Sequence, residues 1–528
     1  MNKRLRNLMI MLACLLLTVP MSAQAAKTSL SKVFGHVIDE RGKAVAGVVV
    51  SDGYQCVTTN KKCFYCLKRN AAAKFVFYTN PKGYAPDSKV FYQRLSKDRQ
   101  RYDFVLGPRT PDDSHFRLLL VTDPQVRSDK SYNRFTAETV PAMRQTIAGS
   151  SLPVVGWSLG DEVHEQCAWL EDGMHASLTS LGIPLFSVIG NHDYFKVEGS
   201  DKDTAPRTAD EYEKYWGPTW YSFNKGDVHF IALNNVKYLS GTKYDTKGII
   251  SAEQLAWMKA DLSHVDKSKL VIVGYHIPMS HMTGSNGRDD KNAVPGGRDE
   301  MLKLLADYPN RLLMAGHTHY MRHSTINGPV KVEERIHAAA CGAFWWTTVN
   351  SDGTPNGYSV YEINGNKIVS NWYRTVNVPN AYKDNPRAYQ IRLHHGDATF
   401  GGKYGNCHFG DGTQLPSDYI VANIWNWDPQ WKVTVSEDGG SPVPMTQGTE
   451  SAPTVEHDAY APGYLIGVRH RAPAHFRAFC QHLFVYKLKN PAAKVTVKAT
   501  DRYGNTYTQS TFTTDFSSLK VNGGDFKP

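Results

Sequence analysis

Apolar and polar positions along this chain fall into three regimes. Over residues 33–107 they alternate: "VFGHVIDERGKAVAGVVVSDG" switches between apolar and polar residues around a Gly turn, and "KFVFYTNPKGYAP" repeats the pattern. Period-two alternation broken by turn residues predicts short, half-buried strands, and strands this short predict a small β-sandwich. From residue 116 to about 375 the apolar positions become continuous runs, each stopped by polar residues: "FRLLLVTDPQ", "LPVVGWSLGDE", "PLFSVIGNHD", "KLVIVGYHIP" and "RLLMAGHTH". Helical patterns lie between some of them. "SAEQLAWMKADL" opens on Ser251 with Gln254 three residues on, the spacing of a capping box, and its apolar positions suit a helix. Buried strands alternating with helices predict α/β layering around a sheet. Residues 384–528 return to a β-rich pattern in "YIVANIWNWD", "WKVTVSEDG", "HLFVYKLKN" and "AKVTVKATDRYGNTYTQSTF". No internal repeat is visible.

Length and composition agree with that division. A chain of 528 residues is too long for one core, so two to four domains are expected, and 41% apolar with 11% aromatic residues describes a folded protein. Residues 1–25 stand apart. Lys3, Arg4 and Arg6 precede the apolar "LMIMLACLLLTV", and "AQA" (Ala23 to Ala25) fits a cleavage site, so the segment reads as a secretory signal peptide. A membrane anchor is the competing reading, but the run is short of the ~20 residues a spanning helix needs. A lipoprotein through Cys14 fits less well, because the apolar run continues past it. No later segment is long and apolar enough to span a bilayer. The expected organisation is therefore a leader (1–25), an N-terminal β-sandwich (33–107), a linker "GPRTPDDS", an α/β domain (112–377) and a C-terminal β-rich domain (384–528).

Export to a periplasmic or cell-surface location shapes how charge and cysteine are read. The formal charge of +10 becomes +7 once the three basic leader residues are removed. That mildly favours anionic partners, and no Lys/Arg run of the kind that marks a nucleic-acid arm is present. Seven of the eight cysteines remain, so at least one is unpaired. Cys56, Cys63 and Cys66 lie close enough in sequence to supply one disulfide in an oxidising compartment. A zinc knuckle is the alternative for "CVTTNKKCFYC", but no suitable fourth ligand follows nearby.

The candidate chemistry sits where the apolar runs end. Ligands in α/β sheets gather at the carboxyl ends of strands. Five predicted strands end in Asp123 with Gln125, in Asp161, in Asn191-His192-Asp193, in His276, and in His317 with His319. Singly, each has a bland explanation as a turn, a helix cap or a satisfied polar residue. Five at equivalent positions collect the oxygen and nitrogen donors that bind first-row transition metals.

In these endings the sequence resembles the calcineurin-like metallophosphoesterases, whose ordered signature is D-x-H, G-D, G-N-H-[DE], H and G-H-x-H. Here the pattern reads "DPQ", "GDE", "GNHD", "GYHIP" and "GHTH" over about 260 residues. The first 75 residues of the alternating region resemble the transthyretin-like, carboxypeptidase-regulatory modules of exported enzymes, with Cys63 where such modules often carry a turn Gly. Together with "AAACGAFWW…DGTPNGY", the flanking modules look like an exported bacterial subgroup with N- and C-terminal accessory domains. The resemblance implies a four-layer αββα core and a site for two divalent or trivalent transition-metal ions (Mn, Fe or Zn). Asp123, Gln125 and His319 would bind the first, Asp161 would bridge, and Asn191, His276 and His317 would bind the second. His192 would donate a proton to the leaving oxygen, and Asp193 would orient His192. Metals that clamp the attacking and leaving oxygens make a Ser or Cys nucleophile unnecessary, so Cys167 and Cys341 read as core or disulfide residues.

Gln125 departs from the family pattern, which usually has His there. A neutral amide oxygen should weaken the first site for Zn and shift it toward Mn, Mg or Fe. Trp345 and Trp346 read equally as substrate face or core. His164 follows Asp161 by three residues, and His281, Arg288 and Lys291 fall in a Gly-rich loop that reads as a phosphate lid or a solvated loop. The sequence thus implies an exported phosphoesterase acting on a phosphorylated substrate. Two alternatives stay open: a phosphodiesterase or pyrophosphatase on nucleotide-like or envelope substrates, and a glycan- or surface-binding protein with a decayed metal site. Neither the substrate nor the oligomeric state is fixed.

Overall fold

The apolar runs of residues 115–375 build two sheets laid face to face. The first is ordered Leu185–Ser187, Val154–Ser158, His115–Val121, Gly357–Asn364, Lys367–Thr375. Its first three strands are parallel, and the last two join antiparallel. The second is ordered Tyr221–Lys225, Val228–Ala232, Leu270–Gly274, Arg311–Ala315, Lys331–Ile336, Arg322–Asn327, with antiparallel strands only at its edges. Strands such as VHFIA and LVIVG are buried at every position, as parallel strands covered on both faces must be. The computed structural model describes residues 31–525 apart from 111, 166, 197–206, 242, 281, 284–287, 290–294, 399–412, 449–479, 514–519 and 522–523. The leader, Cys14, Cys407, His281 and Lys291 lie outside the described residues, and of Arg288 only the strand is described.

Alternation along the strands assigns the layers. Phe116, Leu118 and Leu120 face inward, where Phe186 stacks on Phe223 at 3.8 Å and Trp157 meets Phe230 edge-on at 5.4 Å. Leu119 and Val121 face the other way, onto Met143 of the helix Val140–Ala148 and onto Leu178. On the second sheet, Ser222 and His229 point outward and bond Asp261 of the helix Ala252–Leu262, both at 2.8 Å. The order is helix, sheet, sheet, helix, the αββα arrangement that the resemblance implies.

The helix Ala252–Leu262 starts as its sequence predicts, with Ser251 Oγ accepting from Gln254 N at 3.4 Å. The second half of the capping box is absent. The Gln254 amide turns away and bonds the backbone of Asn234 at 2.8 and 2.7 Å, because that loop's N–H and C=O have no ladder partner.

The N-terminal module has a three-stranded and a four-stranded sheet. Cys63 occupies the turn at φ +57°, the left-handed conformation a Gly takes without strain. The disulfide expected among Cys56, Cys63 and Cys66 is not formed, and all three are free thiols. Cys56 and Cys66 lie in strands of different sheets. The module docks on the second core sheet: Thr79 bonds Ser222 at 2.7 Å, and Trp257 Nε1 donates to Ser51 at 3.0 Å. The C-terminal domain pairs two four-stranded sheets around Ile420, Ile424, Val433, Val435 and Val497. Among the described residues no helix is long and apolar enough to cross a membrane.

Candidate functional site

The polar strand ends converge, and the backbone there is held in conformations that cost energy. Asp123, Gln125, Asp161, His317 and His319 have φ of +51°, +44°, +54°, +72° and +54°. L-residues adopt this region at a cost, and clusters of such residues mark functional sites. The loops carrying them lean on one another: Asp123 N donates to Gly160 O at 3.0 Å and Gln125 N to Asp161 O at 2.9 Å. Two glycines permit the approach. A Cβ on Gly190 would lie 2.2 Å from Asp161 N, and one on Gly316 would lie 1.9 Å from Thr122 Oγ1. The Gly of "GNHD" and of "GHTH" is thus a packing requirement.

Asp161, His276 and His317 bring ligand atoms within 4.8 Å of one another. His276 Nδ1 faces Leu159 O at 2.8 Å, so in a neutral ring it carries the proton and Nε2 is a lone pair. That Nε2 lies 3.1 Å from Asn191 Oδ1, 3.3 Å from Asp161 Oδ2 and 3.2 Å from His317 Nδ1. Acceptors facing acceptors need a cation among them. Burial opposes charge on His276, yet Asp161 and Asp123 raise it to about 9, so without a metal a proton takes that place. Burial likewise works against the charge of Asp161, and His276 and His192 outweigh it, holding the carboxyl well below the usual range.

Asp123 and His319 form the neighbouring half. His319 Nδ1 faces Gly342 O at 2.7 Å, which leaves Nε2 as the lone pair, 3.5 Å from Asp123 Oδ1. That carboxylate oxygen is buried without a hydrogen bond, while Oδ2 accepts from Thr122 Oγ1 at 2.6 Å and His317 N at 2.9 Å. A buried carboxylate oxygen aimed at an imidazole lone pair suits a second cation. Gln125 reaches the site, but its amide nitrogen donates to Asp161 Oδ2 at 2.8 Å and its oxygen lies 3.7 Å from the buried Cys341 thiol.

His192 lies at the mouth of this group. Its N–H donates to Asp161 Oδ1 at 2.8 Å, and its Nε2 is 4.0 Å from Asp161 Oδ2. Asp193 does not orient it. The Asp193 carboxylate is fully buried and accepts from Gly190 N at 2.9 Å and Val163 N at 3.2 Å, so it ties two loops together. The carboxylate beside the His192 ring is Glu165, with Oε1 at 3.5 Å from Nδ1, and Arg207 grips Glu165 at 3.0 Å. His164 stacks on His192 with ring centroids 4.0 Å apart, so it does face the site.

Sequence reasoning missed Glu165, Arg207, Tyr238 and Phe344. Tyr238 OH donates to Asn191 O at 2.6 Å, and Phe344 packs 4.9 Å from His319. The stretch "GDEVHE" put Glu165 in the right loop, but nothing in it ranks Glu165 above the adjacent Asp193. Trp345 proves to be core: it is buried, with Nε1 donating to Pro124 O at 2.6 Å. Trp346 is half-buried beside Arg127 and Lys130.

Comparison with known proteins agrees with this geometry. Three family models match in tandem: N terminal of Calcineurin-like phosphoesterase over 31–109, Calcineurin-like phosphoesterase over 116–321, and C terminal of Calcineurin-like phosphoesterase over 334–507. The chain belongs to the calcineurin-like phosphoesterases. The C-terminal model begins inside the core, because the strands Gly357–Asn364 and Lys367–Thr375 complete its first sheet. Among relatives, an uncharacterised Mycobacterium tuberculosis protein is 27% identical over 167 residues, 29% of this chain and 30% of its own. Purple acid phosphatase 15 of Arabidopsis thaliana is 27% identical over 171 residues, 31% of this chain and 30% of its own. Serine/threonine-protein phosphatase CPPED1 of Bos taurus is 25% identical over 195 residues, 36% and 56%. The chain thus spans about a third to half of these relatives. The solved purple acid phosphatase PPD1 of yellow lupin is 14% identical, covering 66% of this chain and 68% of its own, with a TM-score of 0.37. Calcineurin-like phosphoesterases are metal-dependent, and the acceptors around His276 fit a cation.

Proposed function

We propose that the protein is an exported phosphoesterase that hydrolyses a phosphate ester at a site for two transition-metal ions, Mn, Fe or Zn. The convergence of Asp161 Oδ2, Asn191 Oδ1 and His317 Nδ1 on His276 Nε2 carries this reading. Asn191, His276 and His317 would hold one ion, Asp123 and His319 the other, and Asp161 both; Gln125 would join only by turning its amide oxygen inward. Bound ions would supply Lewis-acid charge and lower the pKa of water at the site.

The chain's own residues do the rest. Asp161 and Asp123 fix where the phosphoryl group sits by fixing the positive charge it meets. The water oxygen bonds to phosphorus as the bond to the leaving oxygen breaks. His192 passes its ring proton to that oxygen, and the proton shed by water replaces it. Phe344, half-buried and packed on both His319 and His164, walls one side and limits water at the reacting atoms. Export rests on the leader's basic, apolar and small-residue order.

The test quantifies metal per chain and assays p-nitrophenyl phosphate and bis-p-nitrophenyl phosphate with added Mn²⁺, beside His192→Ala. The expected result is about two ions per chain and turnover of an aryl ester, with kcat on an alkyl phosphate assayed beside them lowered about 10²–10⁴-fold in the variant at unchanged metal content. One ion or none, with no turnover under any added metal, would overturn the reading in favour of a binding protein.

A further inference from the structure

The side of the site where a leaving group departs carries more than His192. The loops 123–127 and 161–165 run side by side: Val126 bridges Val163, and His164 N donates to Val126 O at 3.0 Å. This register sets Arg127 just beyond His164, whose ring lies on His192. Facing it is the Trp346 ring, with the Arg127 guanidinium carbon 5.5 Å and Lys130 Nζ 5.3 Å from its centroid. Phe344 of the same segment meets His164 edge-on at 5.5 Å and continues the wall inward to His319. Exposure rises outward along this path, from buried His319 to half-buried Arg127 and Trp346 to exposed Lys130. Of the described carboxylates nearby, Glu165 is bound to Arg207, and none pairs with the Arg127 guanidinium.

We propose that the Arg127–Trp346–Lys130 rim selects phosphate esters or anhydrides whose leaving group bears a second anionic group. This deepens the hydrolytic reading above and rests on it. A neutral alcohol leaving past His192 meets nothing that the rim recognises. A leaving group with its own phosphate meets a guanidinium already oriented by stacking, so less ordering is needed when it binds. The reaction is otherwise unchanged: the water oxygen bonds to the terminal phosphorus, the bridging P–O bond breaks, and the departing phosphate takes the proton from His192. The rim acts through the leaving group's charge, so it is a specificity device and takes no part in bond making.

The experiment compares two substrates on the full-length, metal-loaded protein: a nucleoside diphosphate, ADP, and p-nitrophenyl phosphate. The readout is the ratio of their kcat/KM values in wild type, Arg127→Gln, Arg127→Lys and a remote surface control, Lys267→Ala. Intrinsic reactivity cancels when each variant is compared with wild type. The expected result is a fall of about tenfold in Arg127→Gln, most of it restored in Arg127→Lys, with no change in the control. Raising salt from 0.05 to 0.5 M should also depress ADP cleavage more steeply than p-nitrophenyl phosphate cleavage in wild type, a readout independent of any variant's folding. A ratio within twofold of wild type in Arg127→Gln, or p-nitrophenyl phosphate turnover without ADP cleavage, overturns the rim and leaves the phosphoesterase standing. Failure on both substrates overturns both.

Discussion

His192 shows how far side-chain roles depend on contacts that sequence neighbours do not reveal. Its ring lies between His164 and Glu165, and the Glu165 carboxyl is pulled down to about 2, chiefly by the His192 ring beside it and then by Arg207. Glu165→Gln would keep the shape and lose the charge that holds the ring. The expected effect is about a tenfold lower kcat on an alkyl phosphate, whose poor leaving group needs the proton, and little change on p-nitrophenyl phosphate. A uniform loss on both would show that Glu165 only supports the fold. Asp193 belongs to a different test. Asp193→Ala would leave the Gly190 and Val163 N–H groups buried without acceptors, at about 1–3 kcal/mol each, and so lower stability in urea unfolding. The residue types of the site were legible because Asp, Asn and His at strand ends have few other common uses at once. Their division of labour was not, because Asp193 and Glu165 are chemically alike and only the turn geometry decides which one reaches His192.

The strand-end loops show what the elements contribute. Each apolar run predicted from "FRLLLV" to "RLLMA" is a core strand, because three to five buried residues in succession satisfy a parallel sheet covered on both faces. The antiparallel partners Gly357–Asn364 and Lys367–Thr375 are different. The first reaches across the chain to join His115–Val121 and the second pairs with the first, and local periodicity holds no record of which sheet a distant strand joins. Gln254 shows the same gap: its spacing predicts a capping box, but the open backbone of Asn234 competes for it and wins. The loops also set how tightly the site is held. A methyl group on Gly316 would lie 2.7 Å from Asp123 Oδ2 as well as against Thr122. Gly316→Ala is therefore expected to displace Asp123 while leaving the strands in place. Overpacking of this kind costs about 1–3 kcal/mol. Metal analysis of the variant should show at least one ion lost at a melting temperature within several degrees of wild type, and full metal content would refute the role assigned to this glycine.

Three units make one molecule through contacts that meet the core at its edges. The N-terminal module bonds the outer face of the second sheet, and the C-terminal domain bonds the last strands and the loop after Trp345. Asp352 of that loop accepts from Met321 N at 2.7 Å and faces His482 Nε2 at 2.9 Å, so the segment just past His319 is braced from outside the core. The same interface carries a buried charge network. Glu333 pairs with Arg335 and with Arg502 of the C-terminal domain, both at 2.8 Å, and Asp428 holds the other side of Arg502 at 2.7 Å. Burial alone would raise the Glu333 carboxyl; Arg335 first, with His323 and Arg502, outweighs it and brings it down to about 2. An unfolded Glu titrates near 4.3, so the folded state binds this proton more weakly. The stabilisation is complete above pH ~4.3 and is lost as pH falls from there toward 2, because the unfolded chain takes up the proton first. Its size is on the order of 2 kcal/mol, allowing for partial exposure of the side chain. Urea midpoints measured between pH 7 and pH 2.5 should therefore fall more steeply below pH 4.5 in wild type than in Glu333→Gln. The variant should be less stable at pH 7, where Arg335 is left without its carboxylate, and the two curves should converge as the wild-type proton goes on. Parallel curves across that window would show that Glu333 contributes the same at every pH, and that the network does not couple the C-terminal domain to the core through its charge.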